Sequence, residues 1–183
     1  LLSFSRLQSG VKLECRPLDL VAELTDVALF MEARIRAEGL HLVYEEPELP
    51  LPIWADGGRL RQVFINVMDN AVKYSSPGGA ITLDLLQDGE NVYVLIQDEG
   101  RGIAPDDLEN VKLKFFKGKG AVRGSGIGLA VVDEIMTALD GSADISSELG
   151  KGTTVTLRLP IYRGNGEAPA WTLNDPADSS EKE

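Results

Sequence analysis

A glycine-rich loop that leads directly into an apolar, helix-like run carries the clearest chemical signal in this sequence. Gly124, Gly126 and Gly128 alternate with other residues, and glycine allows a ligand to approach the main chain closely. The apolar positions that follow recur at helical spacing. Since the first N–H groups of a helix are unpaired and lie at the positive end of its dipole, this pattern predicts a phosphate-binding loop.

Two common phosphate motifs do not fit this loop. No Gly-Lys-Ser or Gly-Lys-Thr follows the glycines, so it is not a P-loop. Residues 117–123 do not have the pattern of a strand, so the dinucleotide-binding fingerprint fails as well. Alone, the loop is about equally consistent with a flexible turn before a core helix, and its interpretation depends on the motifs around it.

A polar trio borders the apolar face of the helix that we expect over residues 57–74. Asn66, Asn70 and Lys73 lie at i, i+4 and i+7 and therefore share one face. Asparagine oxygens are neutral, hard ligands that suit magnesium, and lysine supplies a point charge for phosphate. The alternative is a solvated helix face, although two asparagines in a helix interior are poor helix formers.

A carboxylate and two glycines follow the strand expected over residues 91–97. Asp98 at a strand end can accept the exocyclic amine of adenine, where guanine presents an acceptor instead. Gly100 and Gly102 would let the backbone close over the base. An acidic loop with two turn glycines explains the same residues, and this stretch alone does not choose between the two interpretations.

Basic residues are concentrated between the Asp98 loop and the glycine-rich loop. Lysines at 112, 114, 117 and 119 and an arginine at 123 surround Phe115. The segment predicts either a mobile lid, anchored by the phenylalanine and closed by charge over a polyphosphate, or a basic surface loop with one buried aromatic.

The spacing of the remaining residues indicates what holds these motifs. We expect helices over residues 19–38, 57–74 and 105–111 and after the glycine loop, and strands over 11–16, 40–44, 53–55, 80–87, 91–97, 142–146 and 153–159. Because helices and strands are interspersed, the pattern favours an α/β two-layer sandwich. Residues 1–9 have the pattern of the last turns of a helix, and the Pro-, Gly- and acid-rich residues 164–183 are predicted to be a disordered acidic tail.

Composition limits the possible partners. The chain has 183 residues and a net charge of −11, which argues against nucleic acid. Its single cysteine, Cys15, excludes an internal disulfide and fits a reducing compartment. No apolar run is long enough to span a membrane. We therefore expect one cytoplasmic domain plus appendages, and the sequence leaves open whether the parent protein is anchored in a membrane.

In their order along the chain, these motifs resemble the catalytic ATP-binding domain of sensor histidine kinases over about residues 17–161. The N box is matched by Asn66, Asn70, Lys73 and Tyr74, the first glycine box by Asp98, Gly100 and Gly102, and the F box by Phe115, with Ile103 and Lys117 expected to contact the nucleotide beside them. The second glycine box is matched by Gly124, Ser125, Gly126, Ile127, Gly128 and Leu129, and the third by Gly150, Gly152 and Thr153. The chain departs from the family at Lys112, where a second phenylalanine is usual, and at Lys117, where arginine is common.

The resemblance implies a Bergerat fold, a mixed sheet backed by helices, with ATP and Mg²⁺ as ligands. It implies that Asn70 binds magnesium, that Asn66 and Lys73 assist at the metal and phosphates as catalytic residues, and that Asp98 binds adenine. It divides the chain into the end of a dimerisation helix (residues 1–10), the ATP-binding catalytic domain (11–163) and the tail.

The same resemblance implies the partners and leaves alternatives open. The phosphoryl group would pass to a histidine on a separate dimerisation domain and then to a response regulator receiver domain, with a monomeric fragment and a homodimeric parent. His41, the single histidine, lies in a predicted strand and is expected to be an ordinary strand residue. The alternatives are an ATP hydrolase of the same fold, which usually has glutamate at position 66, a non-catalytic nucleotide-sensing module, and an anti-sigma serine kinase.

Overall fold

The computed structural model describes residues 3–4, 12–115, 127–164 and 166–174. Its α-helices are α1 (Leu20–Ala37), α2 (Gly57–Tyr74), α3 (Pro105–Phe115) and α4 (Ile127–Ala138). Its strands are β1 (Ser3–Phe4), β2 (Lys12–Leu13), β3 (Arg16–Asp19), β4 (His41–Tyr44), β5 (Pro52–Ala55), β6 (Ala80–Gln87), β7 (Asn91–Asp98), β8 (Ser142–Glu148) and β9 (Gly152–Pro160). A 3₁₀ helix covers Ala170–Asn174.

A five-stranded mixed sheet in the order β4-β6-β7-β9-β8 forms one layer of the fold. Strand β4 runs parallel to β6, and the other neighbours are antiparallel. The side chains of β7 alternate, so that Val92, Val94 and Ile96 are buried against the helices. The predicted α/β two-layer sandwich, a mixed sheet backed by helices, is confirmed.

Aspartates fix the starts of the two longest helices. Asp19 Oδ1 accepts hydrogen bonds from the N–H groups of Val21 and Leu51, both at 3.0 Å. Asp56 Oδ1 accepts from Arg59 N–H at 3.1 Å. An N-cap of this kind stabilises a helix by about 1 kcal/mol. The Asp56 cap explains why the predicted start of α2 agrees with the structure.

The amphipathic face of α2 forms the centre of the core. Its buried side chains recur at helical spacing: Leu60, Val63, Phe64, Val67, Met68, Ala71 and Val72. They pack against α1, α4 and β7. Because the apolar stripe fixes the rotation of the helix, it also fixes where the polar residues at its edge point. None of the helices in the described part of the chain has the length and apolarity that a membrane crossing requires.

The structure differs from the sequence expectation at four places. Ser3–Phe4 pairs as a strand with Lys12–Leu13 where the end of a helix was expected. The strand expected over residues 11–16 is instead two strands, Lys12–Leu13 and Arg16–Asp19. The second includes Pro17, which is tolerated because, among the described strands, β3 pairs only with β5 and its other edge needs no N–H donor. Helix α3 continues past Val111 to Phe115. In the region expected to be a disordered tail, a 3₁₀ helix covers Ala170–Asn174.

Two glycines lie where the loop after β7 packs its main chain against the β8–β9 turn. A Cβ on Gly102 (φ 71°) would lie 2.1 Å from the Glu148 carbonyl oxygen. A Cβ on Gly152 (φ 121°) would lie 2.0 Å from the Asp98 carbonyl oxygen. These contacts hold the loop after β7 against the β8–β9 turn at a separation that only glycine permits.

The turn between β8 and β9 offers a matched test of this packing. Gly150 also has a positive φ (81°), but a Cβ there would meet nothing within 4 Å. Gly150→Ala should therefore cost only the left-handed conformation, about 1–2 kcal/mol of unfolding free energy. Gly152→Ala should cost a further ~1–3 kcal/mol, because the added methyl must displace backbone. Urea denaturation of both variants measures the difference, and equal losses would show that the close approach at Gly152 has no energetic weight.

Candidate functional site

A cavity of about 430 Å³ lies between the sheet and the helices. Volumes of this size are typical of small-molecule sites. It is lined by residues of α2, β7, the loop that follows β7, α3, α4, β8, the β8–β9 turn and β9: Val67, Asn70, Ala71, Tyr74, Ile96, Asp98, Arg101, Gly102, Ile103, Ala104, Asp107, Val111, Leu129, Ile145, Leu149, Thr153 and Val155. The predicted site residues from four separate motifs therefore meet in one place.

Helix α2 contributes one wall. Val67, Asn70, Ala71 and Tyr74 line the cavity at spacings of three, four and seven residues, which places them on one stripe of the helix. Asn70 is half-buried at the edge of the core, as its position beside the apolar face predicts. The side-chain amide of Asn70 is thus held in a cavity by a helix that the core itself fixes.

The other members of the N box stand outside this wall. Asn66 and Lys73 are not among the lining residues. Lys73 is exposed, and its Nζ lies 5.4 Å from the centroid of the Tyr74 ring. The structure therefore brings Asn70 and Tyr74 to the cavity and leaves Lys73 at its margin. The catalytic roles expected for Asn66 and Lys73 remain predictions.

The carboxylate of Asp98 is buried at the end of β7, with 6% of its surface exposed. Its Oδ1 accepts hydrogen bonds from the N–H groups of Gly100 at 2.9 Å and Thr153 at 3.3 Å. Burial raises the pKa of this carboxyl above its ordinary value, and the two N–H groups partly offset that effect. Because Oδ1 holds both hydrogen bonds that the described residues make to this side chain, Oδ2 is left for a ligand.

The loop after β7 is held from both sides. On the helix side, Gly100 forms an isolated β-bridge with Ser75, and a Cβ on Gly100 would lie 2.2 Å from the Tyr74 carbonyl oxygen. On the strand side, Gly150 N–H donates to the Arg101 carbonyl oxygen at 2.7 Å. Gly100 and Gly102 thus let the backbone of this loop pack directly against the backbone of α2 and β8. Their expected role of closing over a base remains a prediction.

One serine links this loop to both strands of the β8–β9 hairpin. Ser147 Oγ accepts from Ile103 N–H at 2.8 Å and donates to the Gly152 carbonyl oxygen at 2.9 Å. It is also hydrogen-bonded to Thr153 Oγ1 at 2.8 Å. Ile103 and Thr153, both expected at the site, are therefore held by a residue that the sequence analysis did not identify.

Much of the expected phosphate-binding loop lies outside the described residues. The expected site residues that the structure does not describe are Lys117, Gly124, Ser125 and Gly126. Phe115, Ile127 and Gly128 are described only in their backbone, at the end of α3 and the start of α4. Helix α4 begins at Ile127, directly after the glycines, as the pattern predicts, and Leu129 in its first turn lines the cavity.

The departure from the family pattern at Lys112 has a structural counterpart. Lys112 lies on α3, and its Nζ is 3.7 Å from Asp144 Oδ1 on β8. The lysine therefore forms an ion pair between α3 and the sheet. A partly exposed pair of this kind contributes at most about 1 kcal/mol.

The donor set fits a metal that takes most of its ligands from elsewhere. Within the described ranges, no group of three His, Cys, Asp or Glu side chains is positioned to hold a metal ion. The half-buried amide of Asn70 offers one neutral oxygen at the cavity wall. Magnesium commonly takes one or two protein oxygens and completes its shell with phosphate and water. Asn70 therefore fits a magnesium ion that takes its other ligands from a polyphosphate and from water.

Several lining residues were missed because nothing in the local sequence pattern marks them. Arg101 and Asp107 are exposed charges at the cavity, and Val111 and Leu149 extend its apolar lining from α3 and the β8–β9 turn. Ile145 faces the cavity from β8 as an ordinary inward strand residue. A prediction of sheet order would have been needed to place these residues beside Asp98.

Residues 55–163 match the family described as "Histidine kinase-, DNA gyrase B-, and HSP90-like ATPase". Among individual proteins, the chain is 37% identical over 161 residues to the adaptive-response sensory kinase SasA of Synechococcus elongatus, covering 85% of this chain and 41% of SasA. It is 32% identical over 156 residues to the aerobic respiration control sensor protein ArcB of Escherichia coli, covering 81% of this chain and 20% of ArcB. The chain thus spans less than half of each of these relatives.

Solved structures give the same result. Full-length ShkA, in a complex with AMPPNP, superposes with a TM-score of 0.69 at 30% identity, over 85% of this chain and 33% of ShkA. The mycobacterial sensor histidine kinase MprB gives a TM-score of 0.64 at 27% identity, over 81% of this chain and 98% of the MprB chain. The chain therefore belongs to the histidine kinase-, DNA gyrase B- and HSP90-like ATPase family, and within it to the ATP-binding catalytic domains of sensor histidine kinases.

Proposed function

We propose that this domain binds Mg-ATP in the cavity and presents the γ-phosphate to a histidine on a separate dimerisation domain. The observation that carries the proposal is the buried Asp98 carboxylate, a fixed acceptor inside an otherwise largely apolar cavity. An adenine ring matches such a site, because it combines an apolar face with an exocyclic N–H donor. The AMPPNP complex of ShkA supports a nucleotide in this fold.

The residues of this chain have distinct tasks in the proposed reaction. Asp98 accepts the amine of adenine, and Ile96, Ile145 and Val155 supply apolar contact for the ring. Asn70 would hold the magnesium ion, which neutralises charge on the phosphate oxygens when it is bound. Lys73, exposed at the cavity margin, adds a positive charge. Such a site works by positioning and charge neutralisation rather than by covalent chemistry.

The geometry of the sheet supports a histidine supplied by another domain. His41 is exposed on β4, whereas its neighbour Leu42 packs on the core. Leu42 pairs with Ile81, which pairs with Asp98, so these three residues point to the helix side. His41 must point to the opposite face of the sheet, because successive strand residues alternate. The only histidine of the chain therefore lies across the sheet from the cavity.

Transfer to a histidine is favoured over hydrolysis by the residue at position 66. Asn66 lies one turn before Asn70 on α2, and an asparagine cannot act as the general base that activates water. In the parent protein, which we propose to be a cytoplasmic homodimer in this region, a response regulator receiver domain would then take the phosphoryl group from the histidine.

The first test concerns the base. Asp98→Asn should raise the dissociation constant of ATP at least tenfold, because it removes one charge-assisted hydrogen bond to the base. The dissociation constant of inorganic triphosphate should stay nearly unchanged. Affinity of the unmodified protein for ATP should also fall on acidification at a pH above the ordinary aspartate pKa, since burial raises the pKa of Asp98 and the protonated carboxyl loses an acceptor.

Asp107 supplies the control for this test, because it is an exposed carboxylate of the same cavity. Asp107→Asn removes the same charge and should keep most of the affinity for ATP. Calorimetric titrations with ATP and triphosphate compare the variants. Equal loss of both ligands in Asp98→Asn would mean that Asp98 does not contact the base.

The second test concerns the metal. Asn70→Ala should abolish most of the magnesium-dependent part of ATP binding and leave the fold intact, because the half-buried side chain is at the edge of the core. Asn110→Ala, at an exposed position of α3 outside the cavity lining, is the control. Calorimetric titrations with ATP are carried out with and without magnesium. If magnesium increases the affinity of Asn70→Ala for ATP as much as that of the unmodified protein, Asn70 is not a metal ligand.

The third test concerns transfer. Incubated with γ-labelled ATP, this chain alone should acquire no acid-labile label, since His41 lies on the other face of the sheet. Addition of a histidine-bearing dimerisation domain should produce label on that domain, weakly, because the covalent link that raises effective concentration is missing. Acid-labile label on this chain alone, lost in His41→Ala, would contradict transfer to a separate domain.

A further inference from the structure

The hydroxyl of Ser147 on β8 uses all of its hydrogen-bonding capacity inside the protein. It donates its proton to the Gly152 carbonyl oxygen at 2.9 Å, because a carbonyl oxygen can only accept. It accepts from Ile103 N–H at 2.8 Å. Its remaining lone pair is directed to one more neighbour, the hydroxyl of Thr153 at 2.8 Å.

This arrangement determines the orientation of the Thr153 hydroxyl. Since the single proton of Ser147 is committed to Gly152, Thr153 must be the donor in the bond between the two hydroxyls. A threonine hydroxyl also has one proton. That proton is therefore held by Ser147, and Thr153 Oγ1 has only lone pairs for any other partner.

Thr153 and Asp98 are adjacent in the cavity lining. The backbone N–H of Thr153 donates to Asp98 Oδ1 at 3.3 Å, and both residues line the cavity. Asp98 presents carboxylate oxygens that accept hydrogen bonds, and Thr153 presents a hydroxyl whose proton is already used. These two side chains therefore offer acceptors only, which suits a ligand amino group and opposes a ligand carbonyl oxygen.

We propose that Ser147 is a positioning residue for base selection: by binding the Thr153 hydroxyl proton, it keeps that hydroxyl an acceptor beside Asp98. The site then accepts a base with an amino group at this point and rejects one with a carbonyl group. The inference rests on the proposed nucleotide-binding function and adds a specificity role to a residue that reaches the ligand only through Thr153.

A purely structural role for Ser147 makes a different prediction. Its hydrogen bonds to Ile103 and Gly152 connect the loop after β7 to the hairpin. Their loss would lower the affinity for every nucleotide that binds in the cavity by a similar factor. Control of the Thr153 proton instead changes the ratio of two affinities, because a freed hydroxyl can turn and donate to a carbonyl oxygen.

The test compares ATP with inosine triphosphate, in which a carbonyl replaces the amino group of adenine. In Ser147→Ala, the ratio of the two dissociation constants should move toward inosine triphosphate by about tenfold, the factor of one net hydrogen bond. Ser147→Thr keeps the hydroxyl and should keep the ratio of the unmodified protein. Both are measured by calorimetric titration with the full chain.

The Thr153→Val variant makes the assignment independent of any loosening of the loop. Removing the hydroxyl should by itself reduce the preference for ATP, and Ser147→Ala in that background should cause no further change in the ratio. If Ser147→Ala does not fold, an unchanged ratio in Thr153→Val still overturns the inference, because the proposed role acts through the Thr153 hydroxyl.

The outcomes separate this inference from the proposed function. ATP binding with a ratio unchanged in Ser147→Ala, or unchanged in Thr153→Val, would overturn the role of Ser147 and leave nucleotide binding in place. Failure of the unmodified chain to bind ATP would overturn both together.

Discussion

The burial of one carboxylate constrains the whole site. A buried aspartate is costly unless its charge is hydrogen-bonded, and Asp98 meets this requirement with two backbone N–H groups, from Gly100 and Thr153. Gly100 lies two residues ahead in the chain, and Thr153 is the second residue of the neighbouring strand β9. The end of β7, the loop after it and the start of β9 must therefore adopt one mutual arrangement for the carboxylate to be stable.

That arrangement explains the glycines around the site. At Gly100, Gly102 and Gly152 a Cβ would lie within 2.2 Å of a backbone oxygen of a neighbouring element. The elements in question are the end of α2, the end of β8 and the end of β7. These glycines thus allow three pieces of backbone to meet around Asp98, and their spacing reflects packing as well as ligand access.

The helix layer converts this local constraint into a binding site. The stripe of α2 that fills the core also points Asn70 and Tyr74 into the cavity, so the metal ligand that we propose is positioned by hydrophobic packing. On the other side, the pleat of the sheet turns His41 away from the cavity. The same two layers therefore bring the proposed nucleotide ligands together and keep the single histidine apart from them. This separation agrees with a catalytic domain that acts on a histidine of a different domain.

The sequence alone was sufficient wherever the information is local. The boundaries and apolar face of α2 follow from helical periodicity and an N-cap aspartate, and the position of Asp98 follows from the end of an alternating strand. The order of the motifs identified the family, because several glycine and polar motifs in one order are far more specific than any of them alone.

Tertiary structure decided what depends on strand order and on contacts between distant segments. The pairing of β7 with β9 placed Thr153 beside Asp98, 55 residues away in the chain, and the β8–β9 hairpin placed Ser147 against Ile103, 44 residues away. Lys112 became the partner of Asp144 rather than part of a loop. A lone serine in a strand has no sequence pattern that reveals the role that we propose for Ser147. That role depends on which hydroxyl lies next to the serine, and only the folded backbone determines this.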